Sequence, residues 1–147
     1  MIVSERKPLA EIRRMIAPYQ RLLTLGCGTC ATVCGAGGER EVSFLNSALR
    51  VAQAKSGNET HTLSEYTVKR QCDLEFLDPL VEKVGDIDAI LALSCGIGMQ
   101  VIAERFPDMP VLPGVNTSFM GAVDEYGVWD ERCAACGDCR LEETGGI

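Results

Sequence analysis

Two apolar runs, residues 21–25 (RLLTL) and 87–93 (IDAILAL), each break into a glycine–cysteine turn, TLGCG and ALSCG, that opens toward a helical pattern. A short, nearly continuous apolar run ending in such a turn marks a strand buried on both faces and followed by a helix, the unit from which parallel sheets are wound. The first turn leads through GCGTCATVCGAGG into a segment, residues 39–54, where Val42, Leu45, Leu49 and Ala52 recur at helical spacing until Gly57 and Asn58 stop it. Residues 59–67 alternate like a strand. After Cys72 the positions Leu74, Leu77, Val81 and Val84 resume helical spacing, with a bend expected at Pro79. SCGIGMQVIAERF opens a further helix, and MPVLPGV supplies the last strand expected. At the N-terminus PLAEIRRMIA reads as a helix with Pro8 at its first position and Pro18 ending it. Strands alternating with helices define an α/β fold, a flavodoxin-like or Rossmann-like parallel sheet covered on both faces. After Gly121 the chain carries three close cysteines and no long apolar run. Residues 1–121 are therefore expected to form the α/β domain, and residues 122–147 a cysteine-rich metal-binding tail.

The 147 residues contain eight cysteines and one histidine, so the chemistry of this chain runs through sulfur. His61 lies in the alternating stretch THTLSEYT and reads as a half-exposed strand residue, which leaves no His-based triad or multi-histidine metal site. The formal charge of −7 and aromatic content of 5% provide neither the basic footprint nor the stacking platforms of a nucleic-acid binder. The start MIVSERKPLAEI has no apolar signal region, and no stretch approaches the roughly 20 apolar residues of a membrane span. A cytoplasmic location with reduced thiols is expected, where clustered cysteines serve as metal ligands or redox groups more often than as bridges.

The cysteines fall into two sets. Cys27 and Cys95 lie just past apolar strands and Cys72 past the intervening one, with Cys30 and Cys34 in the first turn. Loops at the carboxyl ends of parallel strands converge on one edge, where ligands bind. With a 2-1-3-4 strand order the three loops are neighbours, about 4.8 Å apart per strand, close enough for their thiolates to share one inorganic cluster. Cys27, Cys30, Cys72 and Cys95 are the preferred ligands, with Cys34 the alternative to Cys30. Gly26, Gly28, Gly96 and Gly98 are expected to let the backbone approach the bound group and present N–H donors to it. The second set is CAACGDC, in which Cys133, Cys136 and Cys139 follow at spacings of three, as in a ferredoxin-type cluster loop. Structural zinc more commonly takes two separated knuckles, so the spacing favours iron and sulfur, with zinc the alternative. A fourth ligand for this site comes from Cys34, from beyond Ile147 or from a partner. Other readings of the first turn are a thioredoxin-type dithiol at Cys27 and Cys30, and a dinucleotide loop of the form G-x-G-x-x-A through Gly26, Gly28 and Ala31. The cysteines occupy the space that a pyrophosphate would need.

Taken together, ERKPLAEI, LGCGTCATVCGAGGEREV, QCDL, ALSCGIGMQVIAERF, PGVNTSFMG and CAACGDCRLEETGGI resemble the small cysteine-rich subunit of bacterial methylenetetrahydrofolate reductases, also known as the reductase's C-terminal zinc-binding domain. The resemblance runs along essentially the whole chain. It implies a non-catalytic subunit carrying iron–sulfur clusters, of the 4Fe-4S kind, or zinc. Such a subunit delivers electrons to a flavin-bearing catalytic partner, alongside further electron-transfer subunits, in one-carbon metabolism of the acetyl-CoA pathway. Similar members continue past TGGI with Cys-Pro and more cysteines, which implies that the missing tail ligand lies there. The competing functions are a structural zinc scaffold and a thiol redox protein.

Overall fold

The computed structural model describes residues 1–57, 61–125 and 127–133. In chain order they form β1 (Ile2–Arg6), α1 (Leu9–Ile16), β2 (Arg21–Cys27), a single helical turn α2 (Cys30–Val33), α3 (Glu39–Ser56) and β3 (Thr62–Val68). A 3₁₀ helix (Leu74–Leu80) follows, then β4 (Ala89–Leu93), α4 (Gly96–Arg105), β5 (Val111–Pro113), β6 (Val115–Glu125) and β7 (Val128–Cys133). Strands β3-β2-β4-β5 pair in parallel, which is the expected 2-1-3-4 order, and the flanking helices make this a flavodoxin-like or Rossmann-like α/β arrangement.

The apolar runs form central strands because both of their faces are covered. Alternation along β2 and β4 sends Leu22, Ala89, Leu91 and Leu93 to one side, against Ile12 and Ile16 of α1 and Val42, Leu45 and Leu49 of α3. Leu23, Leu25, Ile90 and Ala92 go to the other, against Leu77 and Leu80 of the 3₁₀ helix and Ile102 of α4. Each fully buried Leu or Ile contributes roughly 1.5–3 kcal/mol by leaving water, so these two layers dominate the stability of the sheet. One polar pair interrupts the α3 side. The Thr24 hydroxyl donates to Asn46 Oδ1 at 2.6 Å, and Asn46 Nδ2 donates to the Ser64 carbonyl at 3.2 Å, which ties α3 to β2 and β3. Helix α3 ends at Gly57, whose left-handed φ of 69° glycine adopts without a Cβ penalty.

Several elements differ from the sequence expectation. MPVLPGV is not the last strand. It divides at Gly114 into β5 and the start of β6, and β6 pairs antiparallel with both β1 and β7 in a second sheet, β1-β6-β7. Strand β6 runs unbroken from Val115 to Glu125, across position 121. Pro8 occupies the capping position with an extended ψ of 138°, and α1 starts at Leu9. The segment after Cys72 winds as a 3₁₀ helix through Pro79, whose missing N–H disfavours a continued α-helix; Leu77 and Leu80, three apart, are its buried residues. Among the described residues no helix is long and apolar enough to cross a membrane.

Candidate metal centre

The carboxyl edge of the parallel sheet gathers the thiols. Cys27 is the last residue of β2, Cys30 the first of α2, Cys95 the capping residue of α4, and Cys72 lies in the loop after β3. Strand β2 sits between β3 and β4, with Gly26 opposite both Thr67 and Leu93, so the three loops leave the sheet side by side. Cys27, Cys30, Cys72 and Cys95 line one cavity of about 70 Å³, walled also by Ile2, Ala31, Gln71, Ser94 and Gly98. Cys27 is buried, Cys30 and Cys95 are half-buried and Cys72 is exposed. Although its residue is exposed, partial desolvation of the sulfur raises the Cys72 thiol, and the neighbouring Cys95 and Cys27 push it the same way.

Cys34 stands apart from this cavity. It caps α2 and turns its sulfur to the Ile2 carbonyl of β1, 3.7 Å away, and burial raises its thiol. Of the two candidates from the first turn, Cys30 is therefore the one on the cavity wall. Cys133 ends β7, opposite Met120, and is exposed. Cys136 and Cys139 lie outside the described residues, as does Tyr126. His61 precedes β3, and its Nδ1 meets the Tyr19 carbonyl at 2.6 Å, a structural tie between strand ends.

The glycines divide by what surrounds them. A Cβ at Gly26 would strike the Thr67 hydroxyl and stand 2.8 Å from Val42; at Gly28 it would crowd the Lys69 and Val68 carbonyls, at the end of β3, at 3.2 and 3.3 Å; at Gly98 it would lie 2.7 Å from Ser94 Oγ. These three glycines permit close packing around the thiols. At Gly96 an added Cβ would meet nothing within 4 Å among the described residues. The Gly96 N–H donates to Thr117 Oγ1 of β6 at 3.2 Å, bracing the Cys95 turn. Gly37, not singled out by the sequence pattern, makes the tightest backbone approach of the loop: its Cβ would collide with the Leu93 carbonyl oxygen of β4.

Four cysteines line one cavity beside the N-terminal end of α4, where the helix dipole favours negative charge. Two buried polar atoms of residues on the same wall, Ser94 Oγ and Gln71 Oε1, have no hydrogen-bond partner among the described residues. Among the described residues no group of three or more His, Cys, Asp or Glu side chains is placed to hold a metal ion. Ser94 and Gln71 escaped the sequence reading although both adjoin cysteines, and Ile2 reaches the cavity only through the pairing of β1.

Fold and site thus define an α/β protein with a cysteine-lined sheet edge. Residues 112–147 match the family described as the C-terminal part of methylene-tetrahydrofolate reductase. The match covers 36 of the 147 residues, taking in most of β5, all of β6 and β7, and the three tail cysteines, but none of the sheet-edge cysteines. No curated protein and no solved structure matches the chain.

Proposed function

We propose that this protein is an electron-transfer module whose Cys27, Cys30, Cys72 and Cys95 hold an iron–sulfur cluster, and that it serves a flavin-dependent methylenetetrahydrofolate reductase subunit. The observation that carries this reading is the single cavity lined by those four cysteines, drawn from three neighbouring strand ends. A cluster bound there supplies one-electron chemistry. The protein's own residues preorganise the ligands: the central strands fix Cys27 and Cys95, α2 presents Cys30, and Ile2 and Ala31 add an apolar wall beside them. The similarity of residues 112–147 to the reductase C-terminal family supports the choice of partner. In this reading Cys133, Cys136 and Cys139 supply ligands to a second centre.

Iron, zinc and acid-labile sulfide measured on anaerobically purified protein test the proposal. Iron and sulfide in equal amounts with broad visible absorbance are expected. Zinc without sulfide or colour would replace the electron carrier with a structural scaffold. Reduction of methylenetetrahydrofolate by the isolated, flavin-free chain would refute the subunit role, and thiol turnover in metal-free protein would favour a dithiol enzyme at Cys27 and Cys30.

A further inference from the structure

The wall of the thiol cavity contains a hydroxyl that the protein itself does not use. Ser94 follows the last residue of β4 and precedes Cys95, and it is 2% exposed. Among the described residues its Oγ has no hydrogen-bond partner, a costly condition for a buried hydroxyl that native structures seldom retain without a ligand to satisfy it. Gly98 of α4 closes over it, so near that an added Cβ would stand 2.7 Å from Oγ and 2.9 Å from the Ser94 Cβ. The hydroxyl is therefore carried by a strand end and confined by a helix, not borne on a free loop.

Gln71 Oε1 is the other unpartnered atom on this wall, and the two differ in chemistry. Gln71 Nε2 donates to the Leu25 carbonyl at 2.8 Å, which fixes the amide, and the atom left without a partner among the described residues is its oxygen, an acceptor. An acceptor cannot bond a thiolate or a sulfide. Ser94 carries a proton to give.

We propose that Ser94 is the hydrogen-bond donor to the sulfur atoms of the sheet-edge centre, a positioning residue that sets the centre's reduction potential. The inference rests on the iron–sulfur reading above. Reduction adds negative charge to the cluster and its thiolates, so a donor aimed at sulfur stabilises the reduced state more than the oxidised one and raises the potential. In metal-free protein the same hydroxyl is only a buried polar group lacking a partner, and its removal relieves the fold.

The test compares full-length wild type, Ser94→Ala and Ser94→Thr, each purified anaerobically, by iron and sulfide content, redox titration and exchangeable-proton couplings in the magnetic resonance spectrum of the reduced cluster. Ser94→Ala is expected to keep its iron and sulfide, titrate at a more negative potential and lose one exchangeable-proton coupling, while Ser94→Thr, which keeps a hydroxyl, returns both toward wild type. Metal-free Ser94→Ala is expected to melt at or above wild type. Unchanged potential and couplings at full cluster content overturn the proposal while leaving the iron–sulfur reading intact. A lower melting temperature in metal-free Ser94→Ala also overturns it, because the hydroxyl then has a structural partner; so does loss of the cluster from an intact fold, because a tuning donor does not hold the metal. Wild-type protein without iron and sulfide overturns the underlying reading itself.

Discussion

Replacing Gly37 by alanine tests whether the glycine-rich loop is held against the sheet by backbone contact. The new Cβ would collide with the carbonyl oxygen of Leu93 and stand 2.8 Å from its Cβ and 2.9 Å from its carbonyl carbon, all of them central-strand atoms that cannot swing away. The loop must move instead. Two hydrogen bonds move with it: Cys27 N–H to the Gly37 carbonyl at 2.8 Å, and Gly37 N–H to the Ala31 carbonyl at 3.0 Å. Overpacking costs about 1–3 kcal/mol, and weakening two hydrogen bonds adds about 1 kcal/mol each at most, so a loss near 3 kcal/mol is expected. For a chain of this size that lowers the melting temperature by about 6–12 °C. Two other glycines calibrate the result. Gly35 has φ +63° and open space around it, so Gly35→Ala carries only the left-handed backbone penalty of about 1–2 kcal/mol. Gly96 opens α4 with open space and no left-handed φ, so Gly96→Ala is expected to be neutral or to stabilise by about 0.4–1 kcal/mol. Thermal unfolding of metal-free protein followed by circular dichroism reads all three. A Gly37→Ala midpoint within about 2 °C of wild type, or a smaller loss than that of Gly35→Ala, would refute the reasoning.

Asn46→Ala strands the buried Thr24 hydroxyl and is expected to cost about 2–4 kcal/mol, whereas Thr24→Val combined with Asn46→Leu costs less than the sum of the singles; urea midpoints check the non-additivity. The Asp88 carboxyl is held below the ordinary range by hydrogen bonds from the Arg21 side chain and then from the Arg21 backbone N–H, with Gln20 N–H adding to them. Because the folded value is the lower one, its contribution is present above the unfolded value of about 3.9 and is lost as pH falls through the folded value. The stability difference between wild type and Asp88→Asn, followed by urea unfolding across pH, should be flat near neutrality and vanish in acid. Cys34→Ser should keep the iron of the sheet-edge centre and Cys72→Ser should lose it, since only Cys72 lines the cavity; iron content of the two purified variants decides.

The parts of the fold legible in the sequence are those set by burial on both faces. Strands β2 and β4 are almost wholly buried, so their apolar runs needed no knowledge of partners, and the order of the parallel sheet placed the Cys27, Cys72 and Cys95 loops together. Strand β1 was hidden because IVSER is short and half-exposed and finds its partner far along the chain, Ile2 opposite Met120. Strand β6 shows no clean alternation, since register shifts after Val3, Met120 and Val123 break the two-residue period on which strand recognition depends. The glycines follow the same logic. Gly98 and Gly37 differ from Gly96 only in which strand or side chain lies opposite, a tertiary fact that no turn motif encodes.

The second sheet accounts for features that the parallel sheet alone leaves open. Loops at the carboxyl edge of a parallel sheet would meet solvent on every outer side, and thiols there would be open to oxidation. Here β1 passes over that edge: Ile2 enters the cavity wall, its carbonyl accepts from Cys34, and the Met1 amino group donates to the Gly121 carbonyl at 2.7 Å, anchoring β1 to β6. Strand β6 in turn braces the Cys95 turn through Thr117. The stretch that matches the reductase C-terminal family therefore touches the turn that carries Cys95, although it contains none of the sheet-edge thiols. Of the cavity-wall residues, Cys72 is exposed and Ile97 is 54% exposed, Ile97 lying beside Ile2 of β1 and Thr117 of β6. The Cys72 loop, tied to the fold by the buried Gln71 next to it, is the exposed cysteine segment of the cavity wall.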